Sequence, residues 1–147
     1  MSIWYIHKID MGLRGFHHYW KDWNPRIGET LHFIQEPGNS FDSCAVAAVK
    51  RSTEGRLTEL QQVVGHVPLE ISRHIFFAIS YGCKVKGDVV NGSSYWSPLT
   101  QGGLEIKCKV TIEWQDKDQF MFLKNISRIT TAMKTGIWTS QIPYVRT

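Results

Sequence analysis

Three short clusters hold the side chains best able to do chemistry in this chain: Gly15-Phe16-His17-His18-Tyr19, then Glu36-Pro37-Gly38-Asn39-Ser40-Phe41-Asp42-Ser43-Cys44-Ala45-Val46, then Val63-Val64-Gly65-His66-Val67-Pro68. Asp42, when ionised, only accepts hydrogen bonds, whereas the Asn39 amide both donates and accepts. His17, His18 and His66 can donate to anionic oxygens, more strongly when protonated below about pH 6.5. Tyr19 and Phe41 offer flat rings on which a planar ligand can stack. Each residue also has a plainer use. Asp42 beside Ser43 can bond its own turn, Phe41 can anchor the loop in the core, and His66, between a strand and a helix start, can orient that turn. His17 and His18 suggest a metal pair, but neighbours on a strand point to opposite faces, so no metal site is assigned.

Catalytic signatures are missing. There is no G-x-x-x-x-G-K-[ST] loop for a nucleoside triphosphate, no H-E-x-x-H, no G-x-S-x-G, and no Cys/His spacing of a zinc module. A Cys44/His66/Asp42 nucleophilic arrangement can be drawn, but nothing local activates Cys44, which is assigned to the buried face of its strand. The chain is therefore expected to bind rather than catalyse, and to need no cofactor.

The elements that position these clusters are mostly strands. In LEIKCKVTIEW, Leu104, Ile106, Cys108, Val110, Ile112 and Trp114 alternate with polar residues, the period of a half-buried strand. Shorter runs of similar character lie at Trp4 to Ile6, Thr30 to Gln35, Ala45 to Lys50, Val63 to Val67 and Lys84 to Val90, which makes about six strands. One helix interrupts them over about 69–81: Pro68 suits its first turn, Ile71, Ile75, Phe76 and Ile79 recur at helical spacing, and Gly82 suits its stop. Ser52 to Gln62 reads as a projecting loop, and Phe120 to Arg128 as a possible C-terminal helix followed by a loosely held tail. The fold class is mainly β (α+β): a small OB-like barrel, closed or partly closed, with one inserted helix.

A chain of 147 residues with 42% hydrophobic content supports one core. The formal charge of +4 permits a polyanionic partner without demanding one. That excess sits late: residues 1–50 carry five basic and five acidic side chains, 51–100 five and four, and 101–147 seven and four. Cys44, Cys83 and Cys108 are an odd number at long spacings, which fits neither a disulfide framework nor a zinc pair and suits a reducing, intracellular compartment. The start, MSIWYIHKID, lacks the apolar run of a signal peptide, and no run is long enough to span a bilayer, so a soluble protein without membrane partners is expected.

Taken in order, the three clusters resemble a HIRAN domain, whose pattern is a Gly-x-Arg/His-x-Tyr start, an acidic-Pro-x-Asn-x-aromatic-Asp-x-x-Ala loop, and a Val-Gly-His/Tyr turn opening a helix. The match covers residues 12–114, with 1–11 as a leading strand and 115–147 as a partly ordered extension. Such domains stand at the N-terminus of helicase-like transcription factors and also occur alone. The resemblance implies a pocket for the 3′ end of single-stranded DNA. In that pocket Asp42 would accept the proton of a free 3′-hydroxyl and repel a 3′-phosphate, Tyr19 and Phe41 would stack bases, Asn39 would meet a base edge or phosphate, and His17, His18 and His66 would donate to phosphate oxygens. It also implies a role in DNA repair, a nuclear location and a protein partner such as a helicase or repair factor.

The chain departs from that pattern at three places. His17-His18-Tyr19 stands where helicase-linked members tend to have Arg-Tyr-Tyr, exchanging a permanent charge for a titratable one. Gly38 stands where they place Asn, and Pro68-Leu69 where Lys is common. These exchanges motivate an alternative function: a protein-interaction module on the same barrel that has lost nucleic-acid binding.

Overall fold

Alternation in the sequence becomes burial in the computed structural model, which describes residues 2–16, 21, 23–52, 60–96, 103–114 and 138–146. The elements are β1 (Ser2–Leu13), β2 (Thr30–Glu36), β3 (Ala45–Ser52), β4 (Leu60–His66), α1 (Leu69–Ser80), β5 (Lys84–Val89), β6 (Tyr95–Trp96), β7 (Leu104–Trp114) and β8 (Trp138–Arg146). Every strand pairing is antiparallel. The order across the sheet is β4-β3-β2-β5-β7-β1-β8, with β6 on β7.

β1 and β7 form the spine. His7, Ile9, Met11 and Leu13 lie opposite Ile112, Val110, Cys108 and Ile106 and all face the core. Each fully buried aliphatic side chain there stabilises the fold by about 1.5–3 kcal/mol relative to leaving it in water. The strand expected at Trp4 to Ile6 therefore runs much further. His7 hid its continuation, because a histidine reads as polar in a sequence yet here lies fully buried, its ring edge-on to Trp114 with centroids 5.0 Å apart. Burial lowers its pKa from 6.5 to about 3, so the core holds a neutral imidazole.

Helix α1 spans nearly the expected range. Pro68 precedes it without a side-chain cap. Gly82 ends it at φ +86°, a conformation that favours glycine, while Gly82 N–H and Cys83 N–H donate to the carbonyls of Ile79 and Ala78. Ile71, Ile75 and Ala78 join the barrel core with Val46 and Val67. From β2, the Gln35 amide Nε2 donates to both the Phe76 carbonyl and Ser80 Oγ at 2.7 Å, tying the helix to the sheet.

The ends of the six-strand path from β4 to β1 meet at one place. Arg14, just past β1, forms an isolated antiparallel bridge with His66 at the end of β4. Arg14 N–H donates to His66 O at 2.9 Å and His66 N–H to Arg14 O at 3.0 Å. The barrel is thus partly closed, by a two-bond seam, and its mainly β, OB-like character is as the sequence predicts.

Eight strands are described where six were expected. β6 is two residues long, too short to show a period, and β8 pairs with β1 in a region expected to be a loosely held tail. Of the stretch expected to project as a loop, Ser52 ends β3 and Leu60 to Gln62 belong to β4, while 53–59 lie outside the described residues. The helix expected at 120–128 lies outside the described residues. Among the described residues no helix is long and apolar enough to cross a membrane.

Candidate functional site

The seam packs closely over Gly65. A Cβ at Gly65 would lie 3.1 Å from the Arg14 carbonyl oxygen and 3.3 Å from Leu13 Cβ, tighter than side chains ordinarily pack. A glycine there lets the end of β1 lie against β4 without displacing either backbone. Beside the seam, Arg14 Nε lies 3.5 Å from Glu105 Oε2, which explains why Glu105, on the alternation pattern an outward residue of β7, is buried.

His66 carries the seam into the loop between β2 and β3. Its Nε2 is 2.7 Å from Glu36 Oε1. A carboxylate only accepts, so Nε2 holds a proton whether the ring is neutral or charged. The Asn39 Nδ2 donates to the same Glu36 oxygen at 3.4 Å, and Asn39 Oδ1 accepts from the Phe41 and Asp42 amides at 2.9 and 3.2 Å. Asp42 then stands at the far end of the chain of bonds. Its Oδ1 accepts from Cys44 N–H at 2.9 Å and its Oδ2 from the Ser72 hydroxyl at 2.6 Å.

Four of the expected site residues, Asn39, Phe41, Asp42 and His66, are therefore brought together by one hydrogen-bonded path from the seam to helix α1. His17, His18 and Tyr19 lie outside the described residues. Asn39 shapes the loop, spending its oxygen on two backbone amides. Asp42 does bond its own turn, yet it remains half-buried rather than enclosed, and an ionised carboxylate has about four acceptor positions, of which these bonds use two. Phe41 is not a core anchor: it is 96% exposed, held out by the turn beneath it.

Sequence reading missed three contributors. Glu36 orients His66, and its signal was its place at the head of the second cluster. Ser72 holds Asp42, and its signal was a hydroxyl set among the buried positions Ile71 and Ile75 of an amphipathic helix. Gly65 stands in the third cluster, but its steric reason lies in Leu13 and Arg14, which that cluster does not contain.

Cys44 lies in the turn before β3 and is half-buried, not on the buried face of the strand as expected. Burial pushes the Cys83 thiol up to about 11 and the Cys108 thiol up to about 12, so both stay protonated and poorly nucleophilic. Among the described residues no group of three or more His, Cys, Asp and Glu is placed to hold a metal ion.

No family model and no curated protein matches the chain. Among solved structures it is similar to the HIRAN domain of human HLTF, with a TM-score of 0.61 over 85% of this chain and 92% of that one, at 12% sequence identity. An identity that low speaks to architecture. The chain has the fold of a HIRAN domain.

Proposed function

We propose that the chain is a nucleic-acid-binding module, without catalysis of its own, that receives the 3′ end of a single DNA strand at the loop between β2 and β3. The observation that carries this reading is the pairing of Asp42, an acceptor with unfilled positions, with Phe41, a ring held in water. A terminal hydroxyl can donate to the carboxylate while its base stacks on the ring, a contact that contributes roughly 1–3 kcal/mol per base. A terminal phosphate would bring its charge against that of Asp42 and be refused. His66 stands beside the same loop, held there by its Nε2 bond to Glu36. The fold it shares with the HLTF domain supports the class of ligand. A helicase or repair partner and a nuclear location belong to the same proposal.

The experiment is a fluorescence anisotropy titration with two oligonucleotides that differ only in a 3′-hydroxyl or 3′-phosphate. The hydroxyl form should bind at least about tenfold better, the order that one charge-assisted contact supplies. Asp42→Asn keeps an oxygen for the Cys44 turn and should erase the preference. Equal binding of the two oligonucleotides by the native chain ends this reading.

A second reading, a protein-interaction module on the same barrel, is favoured by Leu69, half exposed at the start of α1. It requires negligible affinity for any oligonucleotide even in low salt.

A further inference from the structure

Asp42 has more acceptor capacity than a single hydroxyl uses. Its two oxygens each take one bond from the protein, and the two donors come from different elements. Oδ1 accepts from Cys44 N–H within the loop at 2.9 Å, and Oδ2 accepts from Ser72 Oγ of α1 at 2.6 Å. An ionised carboxylate oxygen has about two acceptor positions, so each of the two oxygens keeps one beyond these bonds. Two adjacent acceptors suit two adjacent donors, which is how a carboxylate takes the fork of an arginine.

Asn39, on the same turn, adds the opposite polarity. Its Oδ1 is taken by the Phe41 and Asp42 amides, at 2.9 and 3.2 Å, which leaves Nδ2 as the group of this amide that can meet a ligand. Nδ2 carries two hydrogens, and its bond to Glu36 Oε1, at 3.4 Å, is longer than such bonds ordinarily are. The turn thus presents acceptors and a donor together. A hydroxyl group, which both donates and accepts, satisfies that combination. The turn is also open: Gly38, Ser40 and Ser43 are exposed, and a Cβ at Gly38 would meet no atom within 4 Å.

We infer that the terminal sugar this loop receives best is a ribose with its 2′- and 3′-hydroxyls both free, a cis-diol that donates one proton to each oxygen of Asp42. The inference rests on the reading above and adds to it the sugar of the last nucleotide. Asn39 Nδ2 donates to one of the two hydroxyl oxygens, and the base stacks on Phe41, which is 96% exposed. A 2′-hydroxyl is the group by which a protein tells RNA from DNA at a given site. Refusing it takes a wall against the sugar, whereas this open turn gives it a partner. A terminal deoxyribose fills one acceptor position of the carboxylate and leaves the other to water, so it forgoes a bond to a charged group.

The test is a fluorescence anisotropy titration of one DNA sequence carrying four different 3′ ends: deoxyribose, ribose, 2′-O-methylribose and 3′-phosphate. The native chain should bind the ribose end about tenfold more tightly than the deoxyribose end, the order of one added hydrogen bond to a charged acceptor. The 2′-O-methyl end should fall back to the deoxyribose level. Asp42→Asn, whose amide keeps one oxygen, should bind ribose and deoxyribose ends alike, and a melting curve checks that it folds. Phe41→Ala, at an exposed position, should weaken both ends by the same factor and keep their ratio. Adenosine 5′-monophosphate carries the same diol without a strand, and as a competitor it should be weaker than the ribose-ended strand. Equal competition would assign the diol site to free ribonucleotides and overturn the strand as its source. If the native chain binds ribose and deoxyribose ends alike, or the 2′-O-methyl end keeps the gain, the diol is overturned. End recognition then stands or falls separately, on the preference of the deoxyribose end over the 3′-phosphate. If no end binds in low salt, end recognition itself fails and this inference with it.

Discussion

Arg14 and His66 exchange both of their backbone hydrogen bonds, and that single exchange joins the two ends of the barrel. The residue before His66 makes it possible, and the ring of His66 leads from it into the loop that holds Asp42. The residue that bridges the two ends is thus also the one that leads into the site.

Gly65→Ala should show this directly. Its Cβ would press on the Arg14 carbonyl, which is backbone and cannot rotate away, and on Leu13 Cβ. A loss of about 1–3 kcal/mol is expected from chemical denaturation. If the seam and the site are coupled, ligand affinity should fall more than stability alone explains.

Ser72→Ala should separate loop order from charge. The hydroxyl is buried and its bond to Asp42 Oδ2 is short, so its loss should cost about 1.5 kcal/mol, in the range for bonds to charged acceptors. Urea titration measures this. An unchanged midpoint would mean that water replaces the hydroxyl and that the helix does not hold the loop.

Gly38→Asn should be nearly silent for stability and informative for binding. Nothing lies within 4 Å of a Cβ at this position, and its φ is not in the left-handed region. Stability should stay within about 0.5 kcal/mol. The added amide gives the loop another donor, so affinity for a 3′-hydroxyl oligonucleotide should rise several-fold if the loop is the receptor.

His7 should make the fold acid-sensitive. The folded chain keeps the imidazole neutral down to about pH 3, whereas the unfolded chain takes up the proton near 6.5. The unfolded state thus binds more protons between those values, so stability falls as pH drops through this window, by at most about 1.4 kcal/mol per pH unit from this group. The pKa of His74 is lowered as well, by burial and then by Arg73, and acts in the same direction. Melting His7→Leu from pH 7 to pH 4 should give a flatter slope than the native chain, and equal slopes would remove His7 from the account.

How much of this was legible follows the kind of signal each residue sends. β7 and α1 are legible because their apolar residues keep one period from end to end, even with Glu105 and Ser72 buried among them. β1 was cut short at His7, whose burial is set by Trp114 on a strand far away in sequence. β8 was missed because it forms by adding to the free edge of β1, a partner no local pattern names. In the site, residue types suggested Asn39, Asp42 and His66, but not that Asn39 serves the backbone or that Asp42 leans on Ser72. Those are contacts between elements, and a sequence shows elements one at a time.

The seam also orders events in time. Arg14 and His66 are distant along the chain, and such pairings form late because their loop-closure entropy must be met before any bond rewards it. The chain should form the β2-β3-β4 hairpins first and take in β1, whose partners β7 and β8 are further away in sequence still, only late, with its seam to β4 set in that same step. Affinity for a strand terminus should therefore appear in refolding only with the slowest phase, well after the secondary structure is complete.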